Sequence, residues 1–262
     1  MRGDSIPNLM VMLQYLWIDV VTVLVALSAV IYAYVRRKIN TSALLGTLAL
    51  GAGIVITLGL RYSYCGLLVL LAFFLFGNLV TKYKYEKKAA LGVAESNRGM
   101  RDINNVLGNG LSPLIFAISF AISHNAIFLI AFSGSVATAC SDTFSTEIGQ
   151  ADGRPRLITT LKRVPVGTNG GVSLPGIGAA LLGSALISLV SLTFPLNMDM
   201  DMNKRTLFTI CFVSGFMGSL ADSVLGATLE DRNPFKLNKH HVNILATLSG
   251  GIIAISIAYL LI

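Results

Sequence analysis

Charge is scarce in this sequence. Charged residues occupy 13% of its 262 positions, about half the usual share, while hydrophobic residues reach 54% and mean hydropathy is +0.72. So little polar surface does not cover a globule in water, which excludes a soluble domain. Cysteine is sparse too. Cys65, Cys140 and Cys211 show no CxxC spacing and lie in or at the end of apolar runs, so they read as small packing residues, with no disulfide framework or zinc site. Strict apolar alternation over about ten residues is missing, which excludes a transmembrane β-barrel. Neither a Walker A sequence nor GxGxxG occurs, so no soluble nucleotide-binding fold is implied.

What the sequence has in abundance is apolar runs of membrane-spanning length. They cover Trp17–Val35, Ser42–Leu60, Tyr62–Val80, Leu174–Pro195, Leu207–Asp222 and Val242–Ile262. The stretch Leu111–Cys140 is interrupted by Ser123, His124 and Asn125 and reads as two short spans, with His124 capping the turn between them. The expectation is an all-α polytopic integral membrane protein with about eight transmembrane helices in a single domain over 1–262. The first run is followed, not preceded, by Arg36, Arg37 and Lys38 and has no small-residue cleavage site, so it reads as a retained span.

The net charge of +7 and pI near 9.5 would suit a nucleic-acid binder, but the distribution of charge argues otherwise. Placing eight spans puts sixteen of the twenty Lys and Arg on one side, leaving only Arg2, Arg61, Lys204 and Arg205 on the other. By the positive-inside rule the basic side is cytoplasmic and both termini are outside, as in a multi-pass protein of the cell membrane. No nucleic-acid partner is expected. The partners are the lipid bilayer and whatever binds the cytoplasmic loops. Oligomeric state is not legible.

Three segments on that side, 81–110, 141–173 and 222–243, concentrate the polar residues. In the first, Arg98 and Arg101 are three apart, hence on one face if helical, and suit a phosphate as well as a headgroup anchor. Asn105 and Asn109, at i and i+4 of the next span, need polar partners, from a site or from a neighbouring helix. The second holds Ser141-Asp142-Thr143-Phe144-Ser145-Thr146-Glu147 at the end of an apolar helix, where an acid is costly unless paired or bound to a cation. On one helix Asp142 and Glu147 lie about 140° apart, so they do not chelate one ion by themselves. A pairing of an acid with Lys162 or Arg163 is the plainer alternative. Next, the glycine-rich turn Gly167-Thr168-Asn169-Gly170-Gly171-Val172-Ser173 enters a helix, and its N–H groups and the helix dipole favour a phosphate, with Lys162 just upstream.

The third segment echoes the second. Ser214-Gly215 precedes Ala221-Asp222-Ser223 much as Ser133-Gly134 precedes Ser141-Asp142-Thr143, a weak internal repeat that brings Asp142 and Asp222 to equal depth. Gly218, Asp222 and Gly226 then share one face, which permits close helix approach or room for a ligand. Two carboxylates from separate helices beside a phosphate-binding turn suit a Mg²⁺-nucleotide, with Asp142 and Asp222 as the metal ligands. His240 reads as a general base, a phosphate contact or an interface histidine.

At these residues the chain resembles a known membrane family. SDTFSTEIG (141–149), VPVGTNGGVSLPG (164–176) and ADSVLGATLE (221–230) are similar to the family of the plant and cyanobacterial phytyl-phosphate kinase of tocopherol synthesis and the animal transmembrane protein 19 group. RGMRDINNVLGNG (98–110) fits the same pattern, with Gly108 where alanine is usual, and Ser145-Thr146-Glu147 shifts the usual serine–glutamate order by one residue. The resemblance covers roughly 75–262. It implies phosphorylation of an isoprenyl monophosphate, phytyl or geranylgeranyl, to its diphosphate with CTP or another NTP as donor and Mg²⁺ as cofactor. On that reading Asp142, Glu147, Asp222 and Lys162 are catalytic, while Gly167, Thr168, Asn169, Gly170, Gly171, Ser173, Arg98, Arg101, Asn105 and Asn109 bind the phosphates. The rivals are a CDP-lipid synthase (cytidylyltransferase) and a secondary transporter.

Overall fold

The computed structural model describes residues 9–196, 200, 202–231 and 237–261. Among the described residues seven helices are long and apolar enough to cross a membrane, and two short helices lie between them. The long ones are α1 (Leu9–Val35), α2 (Thr41–Thr81), α5 (Ile103–Ser123), α6 (Ile127–Asp152), α7 (Leu174–Ser191), α8 (Lys204–Thr228) and α9 (Lys239–Leu261). The short ones are α3 (Tyr85–Ala90) and α4 (Ser96–Gly99).

The expected eight crossings are reconciled with seven long helices by α2. Its 41 residues would extend about 61 Å as a straight rod, twice the hydrocarbon thickness. Gly59 breaks it with φ 65° and ψ 179°, a conformation that only glycine adopts without strain. The chain then doubles back, so that a β-carbon on Gly66 would come 3.0 Å from Ile54 Cγ2, twelve residues earlier. α2 is therefore a helical hairpin, with halves 41–58 and 60–81.

Polar residues stop and start the helices where the apolar runs end. Asn40 caps α2 by accepting from Ala43 N (2.8 Å), Asp102 and Asn105 form a reciprocal capping box on α5, and Asn203 accepts from Thr206 N (2.9 Å) at the start of α8. His124 closes α5 in the left-handed conformation (φ 53°), as expected of the turn between the two middle spans. Outside the helices, Arg156–Leu157 (β1) and Gly171–Val172 (β2) form one short antiparallel ladder, a small exception to the all-α expectation.

The two ends of the bundle differ in charge, as the loop count requires. At one end, here called the motif face, Ile39 pairs with Arg101, Lys84 and Lys87 reach Asp152 (2.7 and 3.3 Å), and Lys239 reaches Glu95 (3.4 Å). At the far face, Cys65 Sγ donates to Thr193 O (3.3 Å), and Tyr62 packs its ring against Phe120 and Phe194. Arg2, Arg232 and Lys236 from the charge count lie outside the described residues. The three cysteines are buried and free, in keeping with a packing role.

Helix α6 is the centre of the molecule and packs against α2, α5, α7, α8 and α9. Within its most apolar stretch 89% is buried, against 22% for α1, whose exposed Trp17, Val21 and Leu24 present a lipid-facing surface. Its neighbours approach closely because the contacts are small. Thr138 of α6 sits against Gly218 of α8 and Gly250 of α9, and Gly215 of α8 lies against Ala137.

Candidate active site

Helices α6 and α8 run in the same direction, from the far face to the motif face, and stay in register along their length. Thr138 meets the Ser214 carbonyl (3.5 Å), and one turn on Ser141 Oγ lies 3.0 Å from Ser219 Oγ while donating to Ala180 O of α7 (2.9 Å). The next pair outward is Asp142 and Asp222, two buried carboxyl groups near enough for each to feel the other's charge. The equal depth expected from the weak repeat is thus seen in the packing. Oδ1 of Asp222 is buried with no hydrogen-bond partner among the described residues. Two ionised carboxylates this close repel unless a cation lies between them, and an unused buried oxygen adds a free ligand.

The other two motifs converge on the same place. Ser173 caps α7 by accepting from Gly176 N (3.3 Å), which sets the start of α7 against Ser145 and Gly149 of α6. Gly170, at φ 73°, rests on the last turns of α8. A β-carbon there would fall 2.5 Å from Ser223 O and 2.7 Å from Ala227 N, so the turn reaches this close only as glycine. Within the turn, Thr168 N and Oγ1 donate to Pro165 O (3.3 and 2.8 Å), and Gly171 N donates to Thr168 O (2.9 Å). Those donors hold the loop's own shape. Among the described residues, the N–H groups of Gly167, Asn169 and Gly170 donate to no backbone carbonyl. Behind the turn, Gly226 leaves space for Glu230, whose carboxyl is raised by burial and by the neighbouring Asp231 charge.

Around these carboxylates several sequence expectations change. Glu147 is buried in an ion pair with Lys88, not with Lys162 or Arg163, and Lys88 also donates to the Thr81 carbonyl that ends α2 (2.9 Å). Short helix α3 folds this lysine back under the bundle, and its side chain is fully buried. Lys162 is exposed on the loop between β1 and β2, where its carbonyl accepts from Leu157 N (2.9 Å). The cation whose field reaches Asp142, Asp222 and Glu230 is Lys239, in sequence only one basic residue of a loop. Arg98 and Arg101 do not share a helix face. Arg98 (φ 57°) and Gly99 (φ 78°) are both left-handed and end α4, after which Arg101 bridges to Ile39.

Arg101 instead donates to Thr81 Oγ1 (3.1 Å) and stands with Glu95 and Lys239 in one charged cluster. Glu95 accepts from Asn105 Nδ2 (3.2 Å) and pairs with Lys239. Burial alone would raise its carboxyl. The charges of Lys239 and Arg101 and the Asn105 amide outweigh burial and hold it below the usual carboxylate range. Asn105 is thereby engaged on both sides, as capping-box member and as Glu95 partner, while buried Asn109 donates to Asn105 O (3.0 Å). His240 is half-buried at the start of α9, with Nδ1 unpartnered among the described residues. Among those residues no cluster of three or more His, Cys, Asp or Glu side chains surrounds a metal-sized space, so protein ligation by two aspartates is the arrangement to consider.

These elements define a class: a multi-pass integral membrane protein whose one end carries paired helix-borne aspartates, a glycine turn and a lysine–arginine cluster. The chain belongs to the integral membrane protein DUF92 family, whose model matches residues 24–251. It is 37% identical over 223 residues to an uncharacterized membrane protein of Methanocaldococcus jannaschii, covering 84% of this chain and 86% of that one. It is 33% identical over 201 residues to protein VTE6, chloroplastic, of Arabidopsis thaliana, covering 74% of this chain and 59% of the plant protein. It is also 33% identical over 194 residues to protein PGR of Arabidopsis thaliana, covering 66% of each. No solved structure matches the chain.

Proposed function

We propose that the protein is a membrane-embedded kinase that transfers the γ-phosphoryl group of CTP, or another NTP, to an isoprenyl monophosphate such as phytyl or geranylgeranyl phosphate. The observation that carries this reading is the meeting of Asp142 and Asp222 beside the glycine turn. The motif resemblance supplies the substrate class, and the basic motif face, cytosolic by the positive-inside rule, supplies access to nucleotides.

The donor set fits Mg²⁺: hard carboxylate oxygens on two rigid helices, one of them buried with no partner among the described residues. Asp142 and Asp222 would hold the ion, which when bound neutralises charge on the donor phosphates. The chain's own residues do the rest. The N–H groups of Gly167, Asn169 and Gly170 receive donor phosphate oxygens. Lys239 and Arg101 offset charge on the acceptor side. Glu147, held by Lys88, keeps α6 positioned under Asp142. The acceptor is already an ionised phosphate monoester, so its oxygen attacks the γ-phosphorus without a strong base. The bond from that phosphorus to the bridging oxygen breaks, and nucleoside diphosphate leaves. Catalysis is then mainly positioning and charge neutralisation.

Purified protein with Mg²⁺, CTP and geranylgeranyl phosphate should yield geranylgeranyl diphosphate and CDP. Asp142→Asn and Asp222→Asn should each abolish that product while leaving the fold intact. Full activity in both variants would remove the aspartates from the mechanism. Pyrophosphate release in place of CDP would assign nucleotidyl transfer instead, and nucleotide-independent uptake into proteoliposomes would assign transport.

A further inference from the structure

A cavity of about 420 Å³ lies between α1, the two halves of α2 and the start of α5, outside the carboxylate site. Its wall is overwhelmingly apolar, with Leu50, Val55, Leu67 and Phe74 among the lining residues. The polar residues that line it, Thr47, Asn78, Arg101, Asn105 and Asn109, all sit toward the motif face. Along the second half of α2 it extends from Asn78 to Leu67, eleven residues or about 16 Å of helix. An elongated apolar cavity with a cation and amides at one end matches an amphiphile whose single anionic head stays at the membrane surface.

The polar mouth is continuous with the carboxylate site. Asn105, which lines the cavity, donates to Glu95, and Glu95 pairs with Lys239, the cation whose field reaches Asp142 and Asp222. Gly77, which also lines it, backs onto Thr143, the residue after Asp142: a β-carbon on Gly77 would lie 3.9 Å from Thr143 Cγ2. Arg101 spends one donor on Thr81 and, as a guanidinium, has others for a phosphate.

We propose that this cavity holds the isoprenoid chain of the acceptor, with its phosphate at Arg101, so that slot depth sets the chain length accepted. The inference rests on the prenyl-phosphate reading above. Gly51 offers a clean test, because it lines the cavity and a β-carbon there would meet no atom within 4 Å. Gly51→Leu starts its side chain in open space and adds bulk at the cavity wall. Gly178, on α7 and also open, is the matched control.

In nanodiscs, Gly51→Leu should lower kcat/KM for geranylgeranyl phosphate relative to geranyl phosphate by about tenfold or more, through KM, with Gly178→Leu unchanged. Arg101→Met should weaken all chain lengths alike. An active Gly51→Leu enzyme with the wild-type chain-length ratio would overturn the slot and leave the kinase reading standing. A binding readout keeps the two separable. A benzophenone-bearing geranylgeranyl phosphate should cross-link to α2 or α5 in the wild type, compete with geranylgeranyl phosphate, and lose that cross-link in Gly51→Leu. Cross-linking without turnover would uphold the slot and sink the kinase. Cross-links confined to other helices, or equal competition by hexadecyl phosphate, would overturn the isoprenoid assignment.

Discussion

Replacing Lys88 by methionine should destabilise the protein far more than loss of a surface lysine. Its side chain is fully buried and Glu147 is 6% exposed, so removing the ammonium leaves a carboxylate in an apolar setting. Breaking a buried pair from one side costs about 3–5 kcal/mol, whereas removing both charges together is often near neutral. Lys88→Met should thus lower the melting temperature in detergent by roughly 6–20 °C if each kcal/mol is worth about 2–4 °C. The double variant Lys88→Met/Glu147→Gln should recover most of that loss. A double-mutant cycle on thermal or SDS-induced unfolding measures the coupling. A single-variant loss under about 1 kcal/mol, or a double variant no better than the single, would refute the idea that Glu147 is held by this lysine. The same double variant separates two roles for Glu147. A folded, active double variant makes it a positioning residue, while a folded, inactive one gives it a part in the reaction.

Gly170→Ala should push the glycine turn off α8, with a left-handed residue and a Cβ against Ser223 O together costing about 1–3 kcal/mol. On the proposed kinase reading its KM for nucleotide should rise, which initial-rate kinetics would reveal. Gly218→Ala should separate α6 from α8, because Thr138 fills the space a β-carbon needs. Activity should then fall more steeply than secondary structure, as circular dichroism and turnover measured together would show. Glu95 is held below its ordinary value of 4.5, so its stabilising contribution is complete above that value and is lost as pH falls through the lower folded-state value. Melting temperature followed from pH 7 downward should therefore drop less in Glu95→Gln than in the wild type, and parallel curves would contradict the assignment.

Much of the fold can be read from residue order. The apolar runs and the sixteen-to-four split of Lys and Arg place the crossings, and even the α2 hairpin is foreshadowed by Arg61 between two runs, although the break itself falls at Gly59. The convergence of Asp142, Asp222 and the 167–173 turn is legible because each is a polar cluster at the end of an apolar span. Lys88, Glu95 and Lys239 are not legible in the same way. Their charges are single letters in basic or mixed loops, and their meaning depends on partners 59 and 144 residues away. The Arg98–Arg101 pairing fails for a local reason, since two consecutive left-handed residues cut the helix that the spacing presumed.

The burial of α6 has a consequence for how the bilayer acts on this protein. The aspartate-bearing end is anchored in a helix that touches protein on nearly every side, whereas α1 and the α2 hairpin meet lipid directly. Changes in bilayer thickness are absorbed by lipid-facing helices through tilt. On the proposed kinase reading, the chemical step should therefore hold nearly constant in thin and thick nanodiscs while the apparent affinity for the lipid substrate drifts, so that the outer helices act as a membrane gauge around an insulated α6.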